Sequence, residues 1–567
     1  MSSKRKQPVA QCFTPASPAD SARGHGLLVG WSERGTAAVL SLVLIGLHAR
    51  VWLHAGGLWR DEINSVNLVA MSSLGDVWRN LQFDSFPMFW FLILRAWTFL
   101  VGESNLALRG LGLITGLVSV AAVWWTSRAL TSRAPLVSLV LFSLTSTALI
   151  WGDSVRAFGL GTMLIVLTLG AMWRLVQSPT PWRIVAAGVA AVASVHCLYQ
   201  NCVVLLGICL GASAVAASRH AWKLAILPLA IGGLAAVSMA PYLKVISQAG
   251  MWNVVMKVHV DLPWVFGKFA TAIHPSVKVF AFLWLALALL ALLASAWRLF
   301  RPALEEPAVK QGLAIFVLMT TVIVAIGYFS FLKGLSYRTM EWYYLPLMGV
   351  LTLLIEAGLG LITSATLRGR IVCLAVCIAL AIPGIFYGWK ASANRLTNVD
   401  LVTAELALRS PTNGDFVVVT PWFMGISFEY YYHGEAPWTT LPEINSHRLH
   451  RYDLLKEKMS QSDPIKPVLE KIRETLRSGH RVWLVGWPIF PEPGELAGDL
   501  PPAPNSRYGW DEVVYPYVWS RQAAFVLQSH ATRIQKIKVP AGDVTNPLET
   551  AILVEAGGWR LSNIQPK

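Results

Sequence analysis

Apolar runs of about 20 residues recur along most of this 567-residue chain, and they leave few folds open. As a helix, a run of that length crosses the hydrocarbon core of a bilayer, where no water satisfies an unpaired backbone group. The runs fall at roughly 35–54, 106–128, 134–151, 157–175, 183–198, 200–217, 222–242, 278–299, 311–332, 341–363 and 370–389. With 54% hydrophobic and 14% charged residues, a soluble fold has no way to bury them all. The expected fold class is mainly α: a polytopic helical membrane domain of about 11 spans plus juxtamembrane helices.

The net charge of +15 does not point to nucleic acid. Its basic residues lie mostly in short turns between runs, where orientation signals belong. Arg128 and Arg133, Arg174 and Arg183, Arg219 and Lys223, then Arg298, Arg301 and Lys310, and finally Arg368 and Arg370 all fall on inside turns. That holds only if the apolar segment 86–101 does not span but lies on or dips into the outer face. Residues 1–34, with Lys4, Arg5, Lys6 and Arg23, read as a cytoplasmic tail with no cleavable signal. Residues 35–389 form the membrane domain, and an odd number of spans places 390–567 outside. Turn signals and charge rise in that last part, which reads as a small α/β domain. Its strands are expected at Phe416–Thr420 and 481–485, its helices at 422–432 and 467–478, and a Pro- and Gly-rich loop at 489–506. The six cysteines show no metal spacing, and none follows Cys377.

Chemistry-bearing residues gather on the outer side. Asp61 and Glu62 open the long outer loop 55–105, directly after the first span. An acidic pair there is ordinarily solvated and caps the following helix. Here an amphipathic segment and Asp84-Ser85-Phe86-Pro87 follow within the same loop. Short outer turns carry Arg156, then His196 and Tyr199, then Lys333, Tyr337 and Arg338. Each has a plain alternative: Arg156 pairs with Asp153, Lys333 snorkels at a helix end, and His196 is packed. His447 and His450 lack the further ligands that zinc needs. No Gly-rich phosphate cradle of the nucleotide type stands out.

The order is an apolar span, Trp59-Arg60-Asp61-Glu62, a segment ending in Asp84-Ser85-Phe86-Pro87-Met88, then Gly102-Glu103-Ser104-Asn105-Leu106-Ala107-Leu108-Arg109 and a span ending in Arg128. This resembles the GT-C class of membrane glycosyltransferases, the broad family of protein O-mannosyltransferases and lipid A aminoarabinose transferases. The resemblance covers residues 35 to about 130 best. Where that family commonly has two prolines, often after His, this chain has Ser85-Phe86-Pro87, which loosens any inference about the acceptor. The resemblance implies transfer of a single sugar, with inversion, from a polyprenyl-phosphate carrier to an acceptor hydroxyl at the outer face of a bacterial inner membrane. A phosphate leaves readily, so one base suffices, unlike the paired carboxylates of glycoside hydrolysis. Asp61 is the expected base and Glu62 the second choice, with burial raising the base towards the working pH. Arg60, Asp84, Arg156, His196, Tyr199, Lys333, Tyr337 and Arg338 are the expected substrate-binding residues. The implied partners are a polyprenyl-phosphate-linked sugar donor, a glycolipid, glycan or protein acceptor, and the bilayer. No cofactor is required and no metal ligands are assigned, although a divalent metal is compatible. The competing readings are a lipid-linked glycan ligase or polymerase, and a polyprenyl-lipid transporter or flippase. A transporter calls for intramembrane charge or paired repeats, and the span centres are nearly free of charge.

Overall fold

The computed structural model describes residues 18–274, 278–300, 308–363, 366–492, 494–504, 506–540 and 543–560. The expected tail up to residue 17, and Arg301 in its expected inside turn, lie outside the described residues. Among the described residues, eight helices are long and apolar enough to cross a membrane. They are Leu28–His54, Asn105–Thr131, Ala157–Gln177, Asn201–Ser218, Phe280–Leu299, Ala308–Leu335, Glu341–Thr363 and Leu367–Ala391. The chain is a multi-pass membrane protein. The first of these belongs to a longer helix, Pro18–His54, which begins inside the stretch expected as a tail.

The other three expected runs are helical, but each departs from a straight span. Pro181–Cys197 has 17 residues and is a short apolar helix. Trp222–Ser238 and Tyr242–Met256 form one pair bent by 57°, with Pro241 at the bend, where its missing N–H interrupts the hydrogen-bond ladder. The run 134–151 is broken into a short turn at Leu136–Ser138, a π turn at Leu139–Ser143 and the helix Ser146–Gly152. Composition alone counts such pieces as spans because it does not register a break in the ladder. The segment 86–101 is the helix Met88–Val101. Its 14 residues reach about 21 Å, short of a bilayer core of about 30 Å.

Ion pairs and hydrogen bonds join several of the basic turns to one another. Glu33 pairs with both Arg133 and Arg370. Arg183 donates to the Arg174 carbonyl at 3.1 Å and Arg219 to Gln177 Oε1 at 3.2 Å.

The part beyond the last span carries a five-stranded sheet. Its strands are β1 (Phe416–Thr420), β2 (Trp438–Thr440), β3 (Val482–Gly486), β4 (Arg533–Ile537) and β5 (Ile552–Gly557), in the order β2-β1-β3-β5-β4. β1 runs parallel to β2 and β3, while β5 runs antiparallel to β3 and β4. Every residue of β1 and β3 is buried, because helices cover both faces of the parallel centre. Lys466–Arg477 and Val514–His530 pack on one face, and Val399–Leu408 and Gly425–Tyr431 on the other. The two expected strands are β1 and β3. β2 has only three residues, and β4 is an edge strand with four of five residues exposed, so neither shows a clear apolar pattern. The sheet domain is bolted to the membrane domain by hydrogen bonds to its backbone. Leu396 N–H donates to the Ala55 carbonyl at 3.0 Å, and Leu58 N–H donates to the Tyr431 hydroxyl at 2.6 Å.

Candidate active site

The two adjacent acids of the outer loop face opposite ways. The helix Arg60–Val69 begins at Trp59, and successive helical residues point about 100° apart. Glu62, in the third position, reaches back as a capping box: its Oε2 accepts the Trp59 N–H at 3.1 Å. Its Oε1 accepts the Val155 N–H at 2.7 Å and pairs with Arg109 on the span Asn105–Thr131. Glu62 is fully buried and is not among the residues that line the cavity faced by Asp61; it is the bolt between the loop helix and two other elements.

The turn 153–156 is seated just as firmly. Asp153 Oδ2 is bonded to His48 Nδ1 at 2.7 Å. Gly112 and Gly116, on the same face of the span as Arg109, give it room. A Cβ at Gly112 would overlap the Asp153 carbonyl, and one at Gly116 would overlap its carboxylate and His48. Thus Asp153 pairs with His48 and leaves Arg156 free to reach the loop. Arg156 Nη1 donates to the Asp61 carbonyl at 2.7 Å, to Ser65 Oγ at 2.7 Å and to Asp84 Oδ2 at 2.9 Å. Its guanidinium lies 4.3 Å over the Phe86 ring. Asp84 Oδ2 also accepts from Ser65 at 2.9 Å and from Asn64 at 3.0 Å. All three contacts use one nitrogen, so among the described residues Nη2 of Arg156 has no hydrogen-bond partner, and it is not sealed from solvent.

Asp61 looks the other way from Glu62. Its Oδ1 meets His450 Nε2 at 3.0 Å and Arg60 Nε at 3.4 Å. Its Oδ2 has no protein partner, and the side chain is 23% exposed. Arg60 stands behind it, 3.3 Å from Glu549 and stacked on Phe423 at 4.0 Å. Burial pushes the Asp61 carboxyl up. The hydrogen bond and charge of His450, with the charges of Arg156 and Arg60, outweigh burial and hold the group well below the usual carboxylate range. The expectation that burial raises this group is therefore corrected: its cationic neighbours decide. Glu549 and Glu512, from the sheet domain, go the opposite way. Burial pushes each up to about 7 against the pull of Arg60.

Asp61 faces a cavity of 370 Å³. Asp84, Arg156, Tyr199, Tyr337 and Arg338 line it together with His450, Tyr452 and Glu512. Arg338 is 43% exposed and pairs with Asp511 at 2.9 Å. The remaining expected site residues lie elsewhere. Arg60 and Glu62 are behind the wall, Lys333 is exposed on the end of its span, and His196 bonds Ser238 at 2.9 Å. His196 instead lines a groove of 790 Å³ whose other walls are almost wholly apolar, among them Met88, Phe89, Val189 and Leu234. Groove and cavity abut across the helix Tyr242–Trp252. Tyr242 lies on the groove, 5.8 Å from Tyr199 on the cavity, while Val245 and Ala249 face the cavity.

Sequence reasoning missed His450 and Glu512. His450 lies 389 residues from Asp61 along the chain, and nothing in His-Arg-Leu-His marks its partner. Among the described residues, no three His, Cys, Asp or Glu side chains converge to hold a metal ion. Asp61 and Glu512 are the lining carboxylates that keep unpartnered oxygens, so a dication would have to complete its oxygen shell from substrate and water.

No protein-family model matches the chain, and no curated protein matches it in sequence. Among solved structures it is similar to the Archaeoglobus fulgidus oligosaccharyltransferase, with a TM-score of 0.47 and 11% identity over 79% of this chain and 67% of that one. It is also similar to ArnT from Cupriavidus metallidurans bound to undecaprenyl phosphate, with a TM-score of 0.44 and 12% identity over 82% of this chain and 93% of that one.

Proposed function

We propose that this chain transfers a single sugar, with inversion, from a polyprenyl-phosphate carrier to an acceptor hydroxyl at the outer face of a bacterial inner membrane, with the sheet domain on the periplasmic side. One arrangement carries the reading. A carboxylate with one open oxygen shares a cavity with an arginine nitrogen that is also open, and an apolar groove fit for a lipid chain lies alongside. Asp61 Oδ2 takes the proton of the acceptor hydroxyl as that oxygen bonds to the anomeric carbon. The sugar–phosphate bond breaks with its electron pair on the phosphate. Arg156 Nη2 and Arg338 stabilise the charge that grows there, and lining aromatics such as Tyr343 and Tyr452 hold the sugar. Because its neighbours keep Asp61 ionised, it is ready to accept a proton, and the transfer becomes favourable as the acceptor hydroxyl grows acidic on bonding to the anomeric carbon.

The test is mass spectrometry of envelope glycolipids from a deletion strain complemented with wild type or Asp61→Asn. Asp61→Asn is expected to lower the rate at which the missing sugar returns by about 10²–10⁴-fold at an unchanged protein level. Equal restoration by both would refute the assignment.

A further inference from the structure

The sheet domain does more than cover the cavity. Three contacts tie its segment 448–450 to the loop helix Arg60–Val69. Asn67 donates to the Arg448 carbonyl at 2.9 Å, the His450 N–H donates to Asn64 Oδ1 at 2.8 Å, and His450 Nε2 meets Asp61 Oδ1 at 3.0 Å. Asn64 passes the constraint on, because its other end donates to Asp84 Oδ2 at 3.0 Å and so to the carboxylate that holds Arg156.

The ring itself is informative. His450 is buried, and its Nδ1 has no partner. An ionised carboxylate only accepts, so the contact at 3.0 Å requires a proton on the ring nitrogen that faces it. The geometry therefore puts the proton on Nε2, aimed at Asp61. A carboxylate on a short side chain otherwise rotates about its terminal bond, and either oxygen would turn to the cavity.

We infer that His450, supplied by the C-terminal domain, is a positioning residue for Asp61: its Nε2–H pins Oδ1 and leaves Oδ2 as the oxygen that meets the acceptor. This rests on the reading of Asp61 as the base. Because Oδ2 takes the proton, the bond from His450 survives the reaction unchanged. The reactive centre is thereby assembled from both parts of the chain, and docking of the sheet domain sets the orientation of the acid.

The experiment follows the initial rate at which the missing sugar returns to envelope glycolipids after induced expression of full-length wild type, Asp61→Asn, His450→Ala or His450→Gln in a deletion strain. Membrane protein level and melting temperature are measured alongside. Gln carries an N–H at similar reach, so His450→Gln should keep at least half of the rate, whereas His450→Ala should be about 10- to 100-fold slower at equal protein level. Wild-type rate in His450→Ala with Asp61→Asn inactive would overturn this inference alone. So would equal slowness of His450→Gln and His450→Ala. If Asp61→Asn restores the sugar at the wild-type rate, or if the deletion removes no sugar, the proposed function falls and this inference with it.

Discussion

Glu62 offers a sharp test because it sits next to Asp61 in sequence and does something different. In Glu62→Ala the carboxylate that accepts the Trp59 N–H at 3.1 Å and the Val155 N–H at 2.7 Å disappears. Arg109, with its side chain 3% exposed, is left as a buried charge whose remaining described hydrogen bond is to the Gly57 carbonyl at 2.8 Å. Breaking a buried pair by removing one partner costs about 3–5 kcal/mol, a large part of a typical total of about 5–15 kcal/mol. The two orphaned N–H groups fall within the same loss, since water does not reach them. Glu62→Ala should therefore melt well below wild type when the full chain is heated in detergent and followed by tryptophan fluorescence. Glu62→Ala with Arg109→Met should recover part of that loss, because no lone charge is left behind. If Glu62→Ala melts like wild type but transfers nothing, Glu62 takes part in the chemistry and the division of labour argued here is wrong.

Arg156→Lys should weaken retention of undecaprenyl phosphate on the purified chain about tenfold in native mass spectrometry, since one ammonium does not both hold Asp84 and leave a nitrogen open. Glu512 is raised by burial from 4.5 to about 7, so the folded state binds its proton more tightly than the unfolded state does. Stability should accordingly fall as pH rises through that window, and Glu512→Gln should flatten melting temperature against pH there. Gly112→Ala should cost about 1–3 kcal/mol, read as a lower melting temperature, because the Asp153 carbonyl occupies the place of the new methyl.

Much of this molecule is written in short-range pattern. Apolar run length marks the eight spans and the three shorter or broken helices among them, and continuous apolar stretches mark β1 and β3, because burial on all sides requires just those patterns. Three segments show where pattern stops: a proline bend, a π turn and a helix one turn too short look the same in composition as straight spans. The walls of the candidate cavity were legible as far as the outer loops. Asp61, Asp84, Arg156, Tyr199, Tyr337 and Arg338 come together in one cavity. What was not legible is pairing at a distance. The plain alternative for Arg156 is its near neighbour Asp153, yet Asp153 binds His48 and Arg156 crosses to Asp84. The ionisation of Asp61 was misjudged for the same reason. Burial can be inferred from a neighbouring span, but the cations that outweigh it come from another turn and another domain.

Arg109, Gly112 and Gly116 share one stripe of a single membrane span, and between them they hold Glu62 and the turn that bears Arg156. Two absent side chains thus act as a depth stop. The span docks until its bare backbone meets the turn, and that contact fixes how far the arginine reaches into the cavity. Under the proposed reaction, selection reaches into the bilayer, to positions that line no part of the cavity. A graft that moved the outer loops onto another set of helices would carry over every reactive group and still lose the height at which they work.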